Sequence, residues 1–545
     1  MLLPATLLAC NRGDDHKDVG VLLVGTPDAD VGPEDAAPGT LAHADLPIVP
    51  VVPNVDDDDR DGSLDWGQGR PEGDNDFSVF TIDAPHKVTL TLTGDVESLR
   101  IWSGGAVVMN DQVTTLELAK GPHELELEAG DYLAEGRLVV SDNATGEAVE
   151  VLLMGAPLIL NHHLQPSERV ASMRASYGTS WNNYDMIDDY HRILGDSFEE
   201  VRMNTYQSDV WVQDEIEFAT LTSADGAMQF VIDSIRNGQG QAGAGLDDLA
   251  EDQFEDVDFG LGTWGGGQAT SQDSFGNLEI SPPVTVDGVD YPFGRIYYGD
   301  NGGRMAPTQK LQDFLAAQRV QSPVEVDSSW LCVGHVDEYS SFIPDPGSEK
   351  GFKLVFGDID AAYAVLEAMD PDTVLTRYEP TPAKGGHDYA SVGEILEDAQ
   401  LRAYNEDIQR DVLDPQLEQF KTEFGLDDSD IVFMPSLFEE VGWCGGTALG
   451  LIPGMANLIV ADAEDGQTTL FLPDPYLRTD EDAQEDDPMI AQVVSLLPAD
   501  LDVAFLDDWH MYHIAMGEVH CGTNVVRTPD DGADWWLDAR HLLEN

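Results

Sequence analysis

The chain has 545 residues, of which 42% are hydrophobic, and its 103 Asp and Glu against 27 Lys and Arg leave a formal net charge of −76. A chain of this length can form two or more domains with sizeable cores. So acidic a composition argues against nucleic acid as a partner, because binding it requires clustered Lys and Arg that displace phosphate counterions. The charge fits solubility in a salty or calcium-rich medium, and also attraction of Ca²⁺ or of a cationic substrate.

The first ten residues end in LLAC, which resembles a bacterial lipobox whose cysteine, Cys10, is lipidated after signal cleavage. The apolar stretch before Cys10 has only nine residues and no Lys or Arg, so the usual positive n-region is missing. Either the true start lies upstream or the match is chance. We interpret residues 1–10 as the remnant of a lipoprotein signal and expect an exported protein with a lipid anchor through Cys10. If the lipobox is chance, the protein is secreted or cytoplasmic.

The next two segments differ in their patterning. Residues 11–50 are rich in Asp, Gly, Pro and Ala without apolar periodicity, which predicts a flexible acidic tether. Residues 51–155 contain short alternating runs separated by turn residues, which predicts a small antiparallel β-sandwich. These runs are 87–92, 113–118, 123–128 and 137–140.

Residues 156–545 alternate strand-like runs with helical patterns, which predicts an α/β catalytic domain of about 390 residues. Segments 305–320 and 392–424 have apolar residues at helical spacing, the second with an interruption at Pro415. The strand-like runs between them are 352–356 and 431–434.

Four cysteines are too few for a disulfide framework in so long a chain. Cys332 and Cys444 are expected to be small buried residues, the usual state of a free cysteine. Cys521 differs because it lies in the sequence GEVHCGTN, between a histidine and a glycine. A cysteine is a nucleophile only as the thiolate, which a neighbouring cation or partial exposure favours.

The segment WVQDEIEF at 211–218 is interpreted as a strand, in which successive side chains point to opposite faces. Gln213, Glu215 and Glu217 would then form a row of oxygen ligands, whereas Asp214 would lie in an apolar stripe. A buried carboxylate needs a cationic or hydrogen-bonding partner. That partner is either a structural Arg or Lys, of which the chain has few, or a cationic ligand.

The segment GHVDE at 334–338 is also interpreted as a strand, which would point His335 and Asp337 the same way, about 7 Å apart. This spacing suits a base and a carboxylate that contact different atoms of one planar group. The alternative is a histidine hydrogen-bonded to the backbone. A thiolate among carboxylates would suit attack on a cationic carbon, because carboxylates repel the oxyanion of acyl transfer. A guanidinium meets this condition.

At these residues the chain resembles the protein-arginine deiminases. The resemblance covers about 156–545, with a weaker match of 51–155 to the family's middle domain. It implies a pentein fold, a five-bladed α/β propeller with the site at its centre, preceded by a small immunoglobulin-like β-sandwich. The family's additional N-terminal domain is not expected here. The motifs that carry the resemblance, in the family's order and approximate spacing, are 211–217, 273–284, 334–338 and 512–524.

The resemblance implies calcium-dependent hydrolysis of peptidyl-arginine in a protein or peptide to peptidyl-citrulline and ammonia. By position, Cys521 would be the nucleophile, forming an S-alkylthiouronium intermediate. Asp214 and Asp337 would hold the guanidinium, and Trp211 would flank the arginine stem. His335 would protonate the departing ammonia and then activate water.

Recognition of the peptide departs in part from the family. Arg236 matches an arginine that holds the substrate's backbone, but two further positions of this kind are Gly238 and Ala515. Gly238 also occurs in some family members. Two alternatives therefore stand beside the protein substrate. One is a deiminase or related enzyme for a small free guanidine such as arginine or agmatine, and the other is a catalytically inactive calcium-binding surface protein.

The resemblance also implies Ca²⁺, which orders the family's cleft and brings the cysteine into position; hard oxygen ligands fit this ion. One family site is matched by Gln213, Glu217, Glu279 and the backbone carbonyls of Phe275 and Leu278. A second is matched by Glu215, Asp233, the carbonyl of Ser234 and Asn237.

The acidic run at 54–65 and the following DND at 74–76 resemble the calcium cluster of the middle domain. Alternating Asp before a glycine turn is also typical of Ca²⁺ loops generally. The register stays open between 54/56/58 and 57/59/61, and a solvated acidic run is the alternative. Asp258 would add a ligand that bridges the two domains. The candidate ligands in the run are Asn54, Asp56, Asp58, Asp65, Asp74 and Asp76.

Overall fold

The computed structural model describes most of the chain. The described residues are 19–22, 46–55, 64–66, 77–178, 181–202, 206, 209–236, 245–254, 259–262, 269–300, 306–378, 389–529 and 534–543. Of the predicted site residues, six lie outside these ranges: Asp56, Asp58, Asp74, Asp76, Asn237 and Asp258. Cys10 lies outside them as well.

The strands up to Gly155 form two five-stranded sheets with one shared core. They are β1 (Val19–Leu22), β2 (Ile48–Val51), β3 (Ser78–Ala84), β4 (Val88–Gly94), β5 (Leu99–Ser103), β6 (Ala106–Met109), β7 (Thr115–Leu118), β8 (Gly121–Ala129), β9 (Glu135–Asp142) and β10 (Ala148–Gly155). The sheet orders are β1-β3-β8-β5-β6 and β2-β10-β9-β4-β7. Alternate residues of both sheets, such as Phe80, Leu90 and Leu127, are buried against each other. Each of the four alternating runs overlaps a strand, as predicted.

The predicted tether at 11–50 contains two strands, so the expectation of an irregular segment is wrong there. β1 pairs in parallel with β3, and β2 pairs in parallel with β10. β2 is rich in Val and Ile, whose branched side chains suit a pleated surface. Pairing with β3 and β10 gives the backbone N–H and C=O groups of β1 and β2 hydrogen-bond partners. Composition alone could not reveal this pairing.

Twenty further strands and eleven helices are described beyond Gly155, a mixed α/β architecture as predicted. The strands are β11 (Ile159–Leu160), β12 (Ser167–Arg174), β13 (Phe198–Arg202), β14 (Ile216–Ser223), β15 (Gly226–Asp233), β16 (Phe259–Gly262), β17 (Leu278–Ile280), β18 (Val284–Val286), β19 (Val289–Tyr291), β20 (Ile296–Asp300), β21 (Val324–Asp327), β22 (Ser340–Pro344), β23 (Phe352–Asp358), β24 (Ile431–Pro435), β25 (Phe438–Val441), β26 (Thr447–Gly450), β27 (Ile459–Asp462), β28 (Thr468–Pro473), β29 (Asp502–Leu506) and β30 (Thr523–Arg527). The helices are α1 (Tyr184–Leu194), α2 (Val212–Glu215), α3 (Leu249–Gln253), α4 (Gln309–Ala317), α5 (Ile359–Ala368), α6 (Val392–Glu397), α7 (Ala399–Ile408), α8 (Asp414–Phe424), α9 (Pro488–Leu496), α10 (Trp535–Asp538) and α11 (Arg540–Leu543).

One three-stranded pattern recurs five times among these strands. A central strand has an antiparallel neighbour on one side and a parallel neighbour on the other. The five units, written from the antiparallel side, are β14-β15-β16, β30-β12-β13, β17-β20-β21, β22-β23-β24 and β27-β28-β29. In four of the five units, predicted site residues lie directly before the antiparallel strand, which is β14, β17, β22 or β30.

The helices lie close to their predicted positions. The segment 305–320 contains α4, and 392–424 contains α6, α7 and α8. The interruption of this second pattern is at Asp398, which accepts hydrogen bonds from the backbone amides of Gln400 and Leu401 and so starts α7. Pro415 does not end the helix, because it occupies the first turn of α8, where its missing N–H is tolerated. A π-helical turn, Gln409–Leu413, precedes it.

Cys332 and Cys444 form a disulfide, with a Cα–Cα distance of 5.8 Å, which contradicts the expectation of two free thiols. They are 112 residues apart in sequence. The bond is made feasible by a parallel bridge between Leu331 and Ala448, which brings the two segments together. No helix within the described part of the chain is long and apolar enough to cross a membrane.

Candidate active site

The segment 211–218 is a helical turn followed by a strand, so its prediction as one strand is wrong. α2 covers Val212–Glu215, and β14 begins only at Ile216. The amide of Asp214 donates to the carbonyl of Trp211 across 3.1 Å, which closes the turn. Gln213, Glu215 and Glu217 are therefore not a row on one strand face, although all three are buried.

The segment 334–338 is also a turn rather than a strand. Val336–Glu338 form a 3₁₀ turn that is closed by the side chain of Glu338, which accepts from the amides of Gly334 at 3.0 Å and His335 at 2.9 Å. Gly334 has φ +89°, a left-handed conformation that glycine adopts without strain. Side-chain hydrogen bonds of this kind occupy backbone amides that a strand would use for pairing. The segment therefore forms a turn, although its side chains alternate as in a strand.

Short turns before the antiparallel strands bring the candidate residues together. α2 precedes β14, Phe275–Asn277 precedes β17, Val336–Glu338 precedes β22, and His520–Gly522 precedes β30. α2 contacts both His520–Gly522 and Phe275–Asn277, and the latter contacts Val336–Glu338. The repeated pattern of the sheets therefore assembles residues that are more than 300 positions apart in sequence.

Cys521 is a free thiol, 6% exposed, at the centre of this arrangement. Its Sγ lies 3.7 Å from Oδ2 of Asp337, and the side-chain amide of Asn457 donates to it across 3.4 Å. Burial raises the pKa of the thiol well above its usual value, and the negative charges of Asp337 and Asp214 raise it further. Each of these effects favours the thiol over the thiolate.

His335 is buried, and its ring nitrogens face different partners. Nε2 lies 2.8 Å from the carbonyl of Ser271, which can only accept, so Nε2 carries a proton. Nδ1 lies 3.7 Å from Oδ1 of Asp214. Nδ1 is therefore the nitrogen that can take up and release a proton beside a carboxylate.

Asp214 and Asp337 each have one buried oxygen without a donor. Oδ1 of Asp214 and Oδ1 of Asp337 accept no hydrogen bond from any described residue. The other oxygen of Asp337, Oδ2, accepts from Nδ1 of His520 at 2.9 Å. Burial raises the pKa of Asp214, whereas His335 and Arg236 oppose this rise. Two such oxygens are costly unless a cation satisfies them.

Gly276 keeps open the space between these groups. A Cβ atom at this position would lie 2.9 Å from Nδ1 of His335, 3.1 Å from Oδ2 of Asp337 and 3.2 Å from Oδ1 of Asp214. The base and both carboxylates thus converge on one point beside the nucleophile. The arrangement can bind a planar cation with several N–H groups and expose its central atom to Sγ.

Trp211 lies beside the nucleophile across a second glycine. A Cβ atom at Gly517 would lie 2.3 Å from the indole ring and 3.2 Å from Cβ of Cys521. The Trp211 ring packs edge-on against Tyr512, with a centroid distance of 5.5 Å. The indole is thus fixed at a position where it can flank an extended side chain that reaches Cys521.

The comparisons with known proteins agree with this chemistry. A family model described as protein-arginine deiminase matches residues 147–537. The chain belongs to the protein-arginine deiminase family. Human protein-arginine deiminase type-4 is 36% identical over 345 residues, 60% of this chain and 48% of that protein. Mouse protein-arginine deiminase type-1 is 37% identical over 349 residues, which are 61% of this chain and 48% of that protein. Human protein-arginine deiminase type-1 is 32% identical over 472 residues, which are 79% of this chain and 65% of that protein. The chain thus spans about half to two thirds of the length of these relatives.

Arg236, which the deiminase resemblance assigns to the substrate backbone, is held by acidic side chains. Its Nη1 donates to Oε2 of Glu215 across 2.7 Å, and its Nη2 donates to Oδ2 of Asp209 across 3.3 Å. Both carboxylates are fully buried. Arg236 is therefore committed to an ion pair with a residue that the resemblance assigns to calcium.

The residues predicted for the first calcium site lie close together. The Gln213 amide donates to Oε2 of Glu217 at 2.9 Å and to the Phe275 carbonyl at 3.2 Å. Oε1 of Glu279, next to Leu278 in β17, accepts no hydrogen bond from a described residue and lies 3.6 Å from Nδ1 of His520. Burial raises the pKa of Glu217 to about 8, and burial together with Asp337 and Glu217 raises that of Glu279. These buried oxygens fit a divalent cation.

The second predicted site is acidic but only partly described. Glu215, Asp233 and Ser234 are buried, and Oδ1 of Asp233 accepts no hydrogen bond from the described part of the chain. Burial, and then Glu251 and Glu215, raise the pKa of Asp233 well above its usual range. This set also fits a cation, with Arg236 as the group that now offsets Glu215.

The third predicted site is represented by two buried residues, Asn54 and Asp65. The Asn54 amide donates to Oε1 of Glu128 across 3.2 Å. Glu128 is fully buried and was missed by the sequence analysis, because it lies in an alternating strand far from the acidic run. Within the described ranges no three or more His, Cys, Asp or Glu side chains are grouped as a metal site. The predicted sets combine carboxylates with amide and carbonyl oxygens.

The sequence analysis missed further site residues. Asn457 and His520 both contact the catalytic groups, and Gly276 and Gly517 leave the space for them. His520 is adjacent to Cys521 in sequence, so its closeness to the nucleophile was evident from the sequence. Its hydrogen bond to Asp337 was not. Asn457 lies in ANLIV, a segment without a motif, and no sequence signal could have identified it.

Proposed function

We propose that this protein hydrolyses peptidyl-arginine to peptidyl-citrulline and ammonia in a calcium-dependent reaction. The observation that carries the proposal is the convergence of Asp214, Asp337 and His335 on the space that Gly276 leaves open beside Cys521. A guanidinium offers planar N–H groups to both carboxylates. Its central carbon is then the electrophile that faces the thiolate.

Binding of the cation prepares the nucleophile. Asp337 and Asp214 both raise the pKa of the Cys521 thiol. A guanidinium between them offsets these two charges, so that the thiol loses its proton more readily when substrate is bound. Trp211 flanks the aliphatic stem and excludes water from that side.

His335 carries both proton transfers. The Cys521 thiol gives its proton to solvent, and the resulting thiolate forms a bond to the guanidinium carbon. His335, protonated at both ring nitrogens, gives the Nδ1 proton to one amino group, which leaves as ammonia with the electrons of the C–N bond. The product is an S-alkylthiouronium. Neutral His335 then takes a proton from water as the water oxygen attacks the same carbon. The C–S bond breaks and its electrons return to Cys521, the added oxygen gives its remaining proton to this thiolate, and citrulline is released.

Calcium would be held by the two buried sets around Glu279 and Asp233 and by the acidic segment at 54–65. Buried carboxylate oxygens without donors, on Glu279 and Asp233, support the first two of these sets. When bound, the ion neutralises these carboxylates and stiffens the segments that carry them. Because α2 carries Gln213 and Glu215 as well as Asp214, calcium binding would orient a guanidinium-binding carboxylate.

The architecture proposed for the catalytic domain, 156–545, is a five-bladed propeller. Five sheets with one strand pattern, and turns that contact one another beside Cys521, support this arrangement. For 51–155 we propose an immunoglobulin-like calcium-binding domain, supported by two sheets with a shared core.

A small guanidine remains the second candidate substrate, because one specific observation favours it. Arg236 is engaged by Glu215 and Asp209, and the other two positions for peptide-holding arginines are Gly238 and Ala515. Comparing kcat/KM for free arginine, agmatine and an N-acyl-arginine amide separates the two. A preference of at least tenfold for the amide would support the peptide substrate.

We also propose that the protein is exported, with Cys10 as a lipid anchor. The disulfide between Cys332 and Cys444 supports this location, because disulfides persist in oxidising compartments. Labelling cells with a radioactive fatty acid, with Cys10→Ser as the control, tests the anchor. Equal labelling of both proteins would contradict it.

Citrulline formation from an N-acyl-arginine amide, with and without calcium, tests the function. We expect turnover with calcium, reversible loss on chelation, and no turnover by Cys521→Ala. Activity in Cys521→Ala would contradict the proposed chemistry. Calcium-dependent thermal stabilisation without any turnover would instead indicate the inactive calcium-binding protein.

A further inference from the structure

Asn457 lies at the entry to β27, and its side chain, 1% exposed, bridges the segment that carries the nucleophile. Oδ1 accepts from the backbone amides of His520 at 2.9 Å and Cys521 at 3.4 Å. Backbone amides can only donate, so the atom they face must be the side-chain oxygen. The nitrogen, Nδ2, is therefore the atom 3.4 Å from Sγ of Cys521, and it donates.

The surroundings of Sγ otherwise oppose a thiolate. Oδ2 of Asp337 lies 3.7 Å away, and Asp214 adds a second negative charge. The two nearby imidazoles are directed at these carboxylates, His520 at Asp337 and His335 at Asp214. The groups that lower the pKa of the thiol are the backbone amide of Glu518 and then the side-chain amide of Asn457.

We propose that Asn457 is a positioning residue for the nucleophile, whose oxygen fixes the backbone at 520–521 and whose N–H stabilises the Cys521 thiolate. This inference rests on one part of the proposed function, namely that Cys521 is the nucleophile. A donor to an ionised sulfur is worth more than one to a neutral thiol, so this contact strengthens when the proton leaves. The side-chain amide of Asn457 makes both contacts. The two backbone N–H groups set its orientation, and this orientation directs Nδ2 at the sulfur.

Alkylation of Cys521 tests the proposal without requiring turnover. The thiolate displaces iodide from iodoacetamide to form an S–C bond, so the rate against pH reports the proton equilibrium of this thiol. Peptide mass spectrometry assigns the label to Cys521. We expect Asn457→Ala to raise the pH midpoint by about one to two pH units, the effect of losing one hydrogen bond to a charged group.

Asn457→Asp separates the two roles, because the carboxylate keeps an oxygen for both backbone amides and removes the donor to sulfur. We expect it to fold and to raise the midpoint at least as far as Asn457→Ala does. Asn405→Asp is the matched control: Asn405 is buried and also bridges backbone groups, those of Leu401 and Phe438, but it does not contact Cys521. Its midpoint should equal that of the wild type.

The kinetic expectation is a fall in kcat of about 10- to 100-fold in Asn457→Ala, with KM for an N-acyl-arginine amide changed less than about threefold. An unchanged alkylation midpoint in both Asn457 variants would overturn the proposal. So would failure of Asn457→Asp to fold while Asn405→Asp folds, since the role would then be structural. A shifted alkylation midpoint in the Asn457 variants, together with a wild-type protein that forms no citrulline, would support the role of Asn457 and contradict the proposed function.

Discussion

Arg236 donates from Nη1 to Oε2 of Glu215 across 2.7 Å, and Glu215 is fully buried and a proposed calcium ligand. If calcium binds there as proposed, this one carboxylate is shared between two competing cations, the Arg236 guanidinium and the metal. Binding of calcium to Glu215 would weaken the hold on Arg236 and leave that side chain available to a peptide carbonyl.

The Arg236→Gln variant is expected to bind calcium more tightly, because a competing positive charge beside Glu215 is removed. The half-saturating calcium concentration, measured by calorimetry, should fall by about threefold or more, of the order of one partly buried ion pair. KM for an N-acyl-arginine amide should rise, while that for agmatine stays unchanged. Arg137→Gln removes an ion pair of the same 2.7 Å length, to Glu150 in the β-sandwich, and should change neither quantity.

His520 orients one of the two carboxylates that we propose to bind the guanidinium, since its Nδ1 donates to Oδ2 of Asp337 at 2.9 Å. We expect His520→Ala to lower kcat/KM by about 10- to 100-fold, the effect of removing a hydrogen bond to a charged group. His520→Asn can place an amide N–H near the position of Nδ1 and should recover part of the loss. Equal activity of His520→Ala and the wild type would refute this role.

Gly276→Ala is expected to reduce activity without unfolding the protein. Its Cβ would enter the space 2.9 Å from Nδ1 of His335, where both carboxylates also converge. Overpacking of this kind costs about 1–3 kcal/mol, and here it displaces groups that must hold the substrate. kcat/KM should fall at least about tenfold. Gly442→Ala is the control, because a Cβ at Gly442 meets no atom within 4 Å.

Glu338 predicts a pH dependence of stability. Its carboxyl caps the turn at His335, and burial raises its pKa from 4.5 to about 8. Because the folded protein holds this proton more tightly than the unfolded chain, the stabilisation is complete below about pH 4.5 and is lost as the pH rises to about 8. Glu338→Gln keeps the accepting oxygen and stays neutral. In thermal melts without calcium, the stability of Glu338→Gln relative to the wild type should increase between these two pH values. A difference in melting temperature that does not change with pH would argue against this role of Glu338.

Much of the fold followed from local patterns. The alternating runs of the first two sheets, the strands at 352–356 and 431–434, and the helices within 305–320 and 392–424 are all present. Burial on one face imposes such periodicity, so it is visible in sequence. The turns at 212–215 and 336–338 were misread as strands, because capping by nearby side chains, such as Glu338 on the amide of His335, decides a short turn.

The residues proposed for the chemistry could be identified from the sequence alone: a thiol, a histidine and two carboxylates, in motifs that resemble one family. How these groups are held became visible only in the folded protein. Asn457 contacts Cys521 across 64 residues and Cys332 pairs with Cys444 across 112, although no local pattern marks either pair. Both depend on how the sheets pack, since hydrogen bonds and disulfides need atoms within a few ångströms, and distance along the chain carries no information about that.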